Sequence, residues 1–250
     1  MRTYNNILIT GATSGFGLET AKLLAEQGYT IIATGRRKEK LEELANISPN
    51  IFSFELDVCN KNSISDLKIE LERRNLIPDV IVNNAGLALG RDPFDQCETD
   101  DWEKMIDTNI KGLLFVTREF SPYLRAKDSG YIINIGSIAG NYSYFGGNVY
   151  CGTKAFVNHF SQCMRTDLRG SKVKVTSIEP GAAKTEFSDV RFKGNKEAAE
   201  DVYRGFQPLV GADIANIISY LLSLPEHVNI NFMELMPVMQ TPNGFEISRK

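Results

Sequence analysis

Residues 131–154 carry Asn134, Ser137, Tyr150 and Lys154, in the order that a carbonyl-reducing site requires. A free phenol has a pKa of about 10, too high for ready proton exchange at neutral pH, and a nearby ammonium lowers it by stabilising the phenolate. Tyr150 and Lys154 are four residues apart at the start of a helix expected from Asn148 to about Leu168, so they share one helix face. Ser137 would donate a hydrogen bond to the substrate oxygen, holding a carbonyl where Tyr150 protonates it while hydride reaches the carbon. That chemistry is reversible reduction of a ketone or aldehyde. A Tyr and a Lys at helical spacing are also common on solvated faces, so the reading requires a dinucleotide site at the same place.

The elements that would position these groups follow a strand and helix alternation. Residues 131–135 form a short apolar run ended by Gly136, which predicts a buried strand delivering Ser137 at its carboxyl end, where open α/β sheets bind ligands. At the amino terminus a strand over residues 7–10 leads into Gly11, Ala12, Thr13, Ser14, Gly15, Phe16 and Gly17, then into a helix through Leu18, Ala21, Leu24 and Ala25. Glycines at 11, 15 and 17 permit a tight turn, close approach of backbone N–H groups to a pyrophosphate, and close packing of helix on strand. A second strand, residues 30–34, ends in Gly35-Arg36-Arg37 where an NAD site would place an acid. Two guanidinium groups there would favour the 2′-phosphate of NADP, unless they are merely solvated at the opening of a helix. A third strand over residues 51–56 stops at Asp57 and Val58, suited to an adenine, and a fourth over 79–82 ends in Asn83-Asn84-Ala85-Gly86. A long helix capped by Thr99 or Asp100 runs through Val116, with Asn109 the odd polar residue inside it. Asn109 is either a satisfied core amide or a point that bends the helix and holds a water. A strand over 172–178, an irregular lid over 182–208, a helix over 211–224 and a strand over 230–236 complete the expected order.

The 250 residues, 42% of them hydrophobic, suffice for one core, and a single domain over 1–250 is expected. A net charge of −3 with both signs scattered offers no footprint for nucleic acid or an anionic membrane surface, which points to a small-molecule partner. The four cysteines form no CxxC pair, and only two histidines are present, so no metal site and a reducing, cytoplasmic setting are expected. No apolar run reaches the roughly 20 residues of a membrane span.

In combination, TGATSGFG, NNAG, Asn109, Ser137, Tyr150-x-x-x-Lys154 and Pro180-Gly181 resemble the short-chain dehydrogenase/reductase family over essentially the whole chain. The resemblance implies a Rossmann-type, doubly wound parallel sheet of about seven strands with helices on both faces. It implies a proton-relay tetrad of Asn109, Ser137, Tyr150 and Lys154, with Lys154 also bonding the nicotinamide ribose. Asn83 would be structural, Asn84 a cofactor contact, and Pro180, Gly181, Thr185, Glu186 and Phe187 further cofactor contacts. VNNAGLALG, MIDTN, GGNVYCGTKAF, RTDL, IEPG and TEFSDVRFKG are similar to the NADP-dependent 3-hydroxy acid (serine and allo-threonine) dehydrogenases, which also reduce malonic semialdehyde. That likeness implies a homotetramer, as do apolar residues on more than one face of the helix from Asn148. Two rivals remain, a 3-oxoacyl or other small carbonyl reductase of the same family and a non-catalytic NADP-binding regulator. A carboxylate-bearing substrate needs a cation in the closed site. Lys154 is committed and Arg36 and Arg37 lie at the adenosine end, which leaves Lys184, Arg191 and Lys193 on the lid. Arg191, flanked by Val190 and Phe192, is the preferred candidate.

Overall fold

Runs of β-branched and aliphatic residues build a sheet buried on both faces. The strands are β1 (Asn6–Ile9), β2 (Thr30–Gly35), β3 (Ile51–Glu55), β4 (Val80–Asn83), β5 (Gly130–Ile135), β6 (Val173–Pro180) and β7 (Phe232–Leu235). All described pairings are parallel, in the order β3-β2-β1-β4-β5-β6-β7. The structure, a computed structural model, describes residues 3–242, so residues 1–2 and 243–250 of the expected domain lie outside the described ones. The helices are α1 (Gly15–Glu26), α2 (Lys38–Ala45), α3 (Lys61–Arg73), α4 (Thr99–Ile106), α5 (Leu113–Ala126), α6 (Asn148–Asp167), α7 (Glu186–Arg191), α8 (Lys196–Asp201) and α9 (Gly211–Ser223).

Alternation along each strand divides the core into two layers. Ile7, Ile9, Ile31, Val80, Val82 and Ile133 face one way, into a cluster with Ala21 and Leu24 of α1 and Ile214 and Ile218 of α9. Leu8, Ile32, Ile81 and Ile132 face the other way, against Leu67 and Leu71 of α3, Val116 and Phe120 of α5, and Met164 of α6. Each aliphatic side chain so buried contributes about 1.5–3 kcal/mol relative to exposure, which is why central strands tolerate nothing polar without a partner. The strand order reverses between β1 and β4, and the crevice above their carboxyl ends is where ligands bind in such sheets.

Four sequence expectations are corrected locally. Strand β6 continues two residues past 178, because Glu179 and Pro180 pair with Glu234 and Leu235 of β7. Helix α3 starts at Lys61 rather than 63, since the Asn60 side chain accepts from the main-chain N–H groups of Asn62 (2.9 Å) and Ser63 (3.3 Å). The long helix has Glu98 at its cap, with no side-chain bond, rather than Thr99 or Asp100, and it passes through a π segment, Asp107–Gly112, centred on Asn109. The span 182–208 is not irregular throughout, for it contains α7 and α8.

Candidate active site

A cleft of about 650 Å³ opens over the switch point between β1 and β4. Its floor is the turn after β1. Gly11 sits at φ +66°, a conformation closed to most side chains. A Cβ on Gly17 would stand 2.5 Å from both Asn84 Nδ2 and the Gly11 carbonyl oxygen, so only glycine lets α1 come this close to the strand ends. Thr10 Oγ1 accepts from the N–H groups of Asn84 and Ala85, each at 3.0 Å, while Asn84 Nδ2 donates to the carbonyls of Thr10 (2.8 Å) and Gly11 (3.1 Å). Asn84 therefore lines the cleft, but its amide hydrogens brace the turn. Gly11, Thr13, Ser14, Gly15 and Phe16 line the cleft, whereas Ala12 and Gly17 do not; buried Ala12 instead donates its N–H to the Thr34 carbonyl at 2.8 Å. Ser14 makes no side-chain cap bond to α1, which leaves the first N–H groups of that helix to an anionic ligand. This cradle fits a pyrophosphate.

At one end of the cleft stand Arg36, Arg37, Asp57 and Val58. Asp57 also accepts from the Cys59 N–H at 3.0 Å. Arg37 donates through Nε (3.0 Å) and Nη2 (2.8 Å) to Thr13 Oγ1, and through Nη1 to Glu186 at 2.7 Å. The opposite oxygen of Glu186 accepts from Lys40 Nζ at 2.7 Å. Burial pushes the Glu186 carboxyl up, and the bonds from Lys40 and Arg37 more than reverse this, leaving it below the ordinary carboxylate range.

At the other end, β5 presents Ser137 and α6 presents Tyr150 and Lys154, all lining the cleft. Lys154 Nζ donates to the Ile135 carbonyl at 2.8 Å and lies 5.9 Å from the centre of the Tyr150 ring. Burial lowers Lys154 from 10.5 to about 8. Tyr150 is pushed above the usual tyrosine range, first by burial and then by the Tyr144 phenol, against the downward pull of a hydrogen bond with Ser137 and the Arg191 charge. The downward pull expected of Lys154 comes here from Ser137 and Arg191, and burial outweighs it. Asn109 lies under the site rather than in it: its Oδ1 accepts from the Leu87 N–H (2.8 Å), and its Nδ2 donates to the Leu87 carbonyl (2.8 Å) and Thr153 Oγ1 (3.0 Å). It is both the satisfied amide and the centre of a helix distortion. Asn83 is structural, donating at 2.8 Å to Thr117 and to Asn134.

Across the opening lie Pro180, Gly181, Thr185, Glu186, Phe187 and Arg191. The Phe187 ring sits 5.6 Å from that of Tyr150. Arg191 reaches the same phenol from α7, its guanidinium carbon 5.8 Å from the ring centre. It donates through Nε to the Gly90 carbonyl (3.1 Å) and through Nη1 to the Tyr144 hydroxyl (2.7 Å), while Nη2 is buried without a hydrogen-bond partner among the described residues. Of the other lid cations, Lys193 pairs with Asp101 at 2.6 Å and Lys184 does not line the cleft. Sequence reasoning missed Tyr144, Arg91, Tyr203 and Gln240, which also line it. Tyr144 had one signal, an aromatic in the loop between Ser137 and Tyr150.

A Rossmann-type sheet carrying this Ser, Tyr and Lys set defines a class of oxidoreductase, and the chain belongs to the short-chain dehydrogenase family, whose model matches residues 5–196. It is 46% identical over 246 residues to the NADP-dependent 3-hydroxy acid dehydrogenase YdfG of Escherichia coli (strain K12), covering 98% of this chain and 99% of that protein. It is likewise 46% identical over 245 residues to the serine 3-dehydrogenase of Agrobacterium fabrum (strain C58), covering 98% of each. A solved closed form of serine dehydrogenase complexed with NADP+ superposes with a TM-score of 0.93 at 46% identity, over 98% of this chain and 99% of that one.

Proposed function

We propose that the protein is an NADP-dependent dehydrogenase that interconverts small 3-hydroxy acids, of the L-serine, L-allo-threonine or 3-hydroxypropionate type, with their 3-oxo acids or semialdehydes. The observation that carries this reading is the buried, unpartnered Nη2 of Arg191 beside Tyr150. A buried donor without a partner costs free energy, and a substrate carboxylate would satisfy both its hydrogen bond and its charge. The relatives' names point the same way.

A bound nicotinamide would supply or accept the hydride. Ser137 would hold the substrate oxygen, and Tyr150 would give that oxygen its proton as the carbonyl becomes an alcohol, or take it back in the reverse direction. Lys154, held by the Ile135 carbonyl, would bond the ribose, and Asn109 would keep the 84–88 segment in place beneath it. The span 182–208 would act as a lid, excluding water once substrate is bound. Arg36 and its neighbours would read the 2′-phosphate. Among the described residues the two carboxylates lining the cleft, Asp57 and Glu186, are both at the phosphate-reading end, so none of them faces an α-ammonium and simple hydroxy acids should compete well with amino acids.

A 3-oxoacyl thioester has no carboxylate to offer Arg191, and a non-catalytic regulator would not need Ser137, Tyr150 and Lys154 together. Arg191→Met tests the reading. It should reduce kcat/KM for 3-hydroxy acids by about thirtyfold or more, from roughly 2 kcal/mol for a lost buried charge pair. An uncharged alcohol of similar size should be affected far less. Equal losses on both would remove Arg191 from substrate recognition.

A further inference from the structure

At the end of the cleft that would read the cofactor's phosphate, Arg36, Arg37, Asp57 and Glu186 line the wall, and Lys40 stands just behind it on Glu186. Arg37 has all three arms engaged, two on Thr13 of the glycine turn and one on Glu186 of α7. It is placed to fasten α7 to the turn. Lys40, one helical turn further along, has among the described residues a single hydrogen bond, to the other oxygen of Glu186, and an ammonium has three donors. Arg36 lines the cleft with no ion pair among the described residues. Donor capacity therefore lies with Arg36 and Lys40, not with Arg37.

We infer that Lys40 and Arg36 together bind the 2′-phosphate, while Arg37 and Glu186 form a clasp that holds α7 against the glycine turn whichever cofactor is present. This rests on the NADP reading above. It makes Lys40 a specificity-determining residue and makes Arg37 a positioning residue.

Direct titration calorimetry of NADP+ and NAD+ with the full chain separates the roles without relying on turnover. Wild type should bind NADP+ the more tightly. Lys40→Gln and Arg36→Gln should each raise the Kd for NADP+ about tenfold, the loss of one charge-assisted bond, and leave that for NAD+ within about twofold. Arg37→Gln and Glu186→Gln should weaken both cofactors by the same factor, keeping their ratio at the wild-type value. If wild type shows no preference for NADP+, the NADP reading itself falls, and this assignment with it. If wild type prefers NADP+ but Lys40→Gln leaves the ratio unchanged, or Arg37→Gln collapses it as Arg36→Gln does, the division of roles is wrong while the NADP reading stands.

Discussion

Burial holds the Tyr150 phenol in its protonated form across neutral pH and keeps the phenolate scarce, and this sets its pH behaviour. In the proposed mechanism carbonyl reduction draws on the protonated form, so its kcat/KM should stay flat across neutral pH. Alcohol oxidation needs the phenolate and should rise as pH increases toward the alkaline side. Profiles in the two directions check this, and an oxidation rate falling over that range would contradict it. Tyr150→Phe removes the proton and keeps the ring against Phe187, so turnover should drop roughly 10²- to 10⁴-fold while NADP+ titrates as in wild type. Lys154 carries a cost of another kind. Burial lowers it from 10.5 to about 8, so between those values the unfolded chain holds a proton that the folded one lacks. Stability should climb as pH rises through that window, with the full penalty present below it. Lys154→Met should therefore abolish activity yet raise stability at neutral pH by on the order of 1 kcal/mol, read from thermal melts against wild type. Tyr150 and Lys154 were legible because helical spacing fixes their shared face. The sign of the Tyr150 shift was not, because burial depends on α7 and on the 141–147 loop, which no local spacing encodes.

At the scale of elements, the turn after β1 and the π segment do the positioning, and they differ in how openly the sequence declares them. The glycines announce the turn. A methyl group on Gly17 would meet Asn84 Nδ2 and the Gly11 carbonyl at 2.5 Å, the carbonyl being backbone with nowhere to move. Gly17→Ala should destabilise the fold by about 1–3 kcal/mol in urea denaturation, as overpacking does, and weaken both NADP+ and NAD+, because the turn that cradles the pyrophosphate must shift. Unchanged stability would show that α1 can retreat from β4 without cost. The π segment was hidden, since the weak helix formers of Asp107–Gly112 do not by themselves distinguish a π turn from an ordinary helix or a break. What creates it is tertiary: Asn109 must reach the main chain of Leu87, and Gly112 must pass Val58, whose Cγ2 would be 2.7 Å from an added Cβ. Helices α7 and α8 were missed for a related reason. Each is six residues long, too short for a periodic signal, and each is held by side-chain caps from Thr185 and Asn195.

For the whole molecule, the central strands were legible because a parallel sheet buried on both faces demands uninterrupted apolar runs, whereas their order, with the jump from β3 across to β4, is set by packing that no single strand encodes. The same logic of apolar surface bears on assembly. Helix α6 commits Val157, Ser161 and Met164 to the core, yet Phe156 and Phe160 stack on its part-exposed side, ring centres 5.4 Å apart and 14° from parallel. Phe115 and Tyr123 of α5 are part-buried as well. Aromatic rings left part-exposed along α6 and α5 offer apolar surface that association between copies would cover. We propose that copies of the chain cover it and that the protein is a homotetramer in solution. Light scattering at working concentration should give four chains, and replacing both Phe156 and Phe160 with Glu should yield smaller species, because two carboxylates would then be desolvated at the contact. Tyr150 and Lys154 lie on the core side of the same helix, so the dissociated variant should still bind NADP+. A wild-type monomer would refute the assembly.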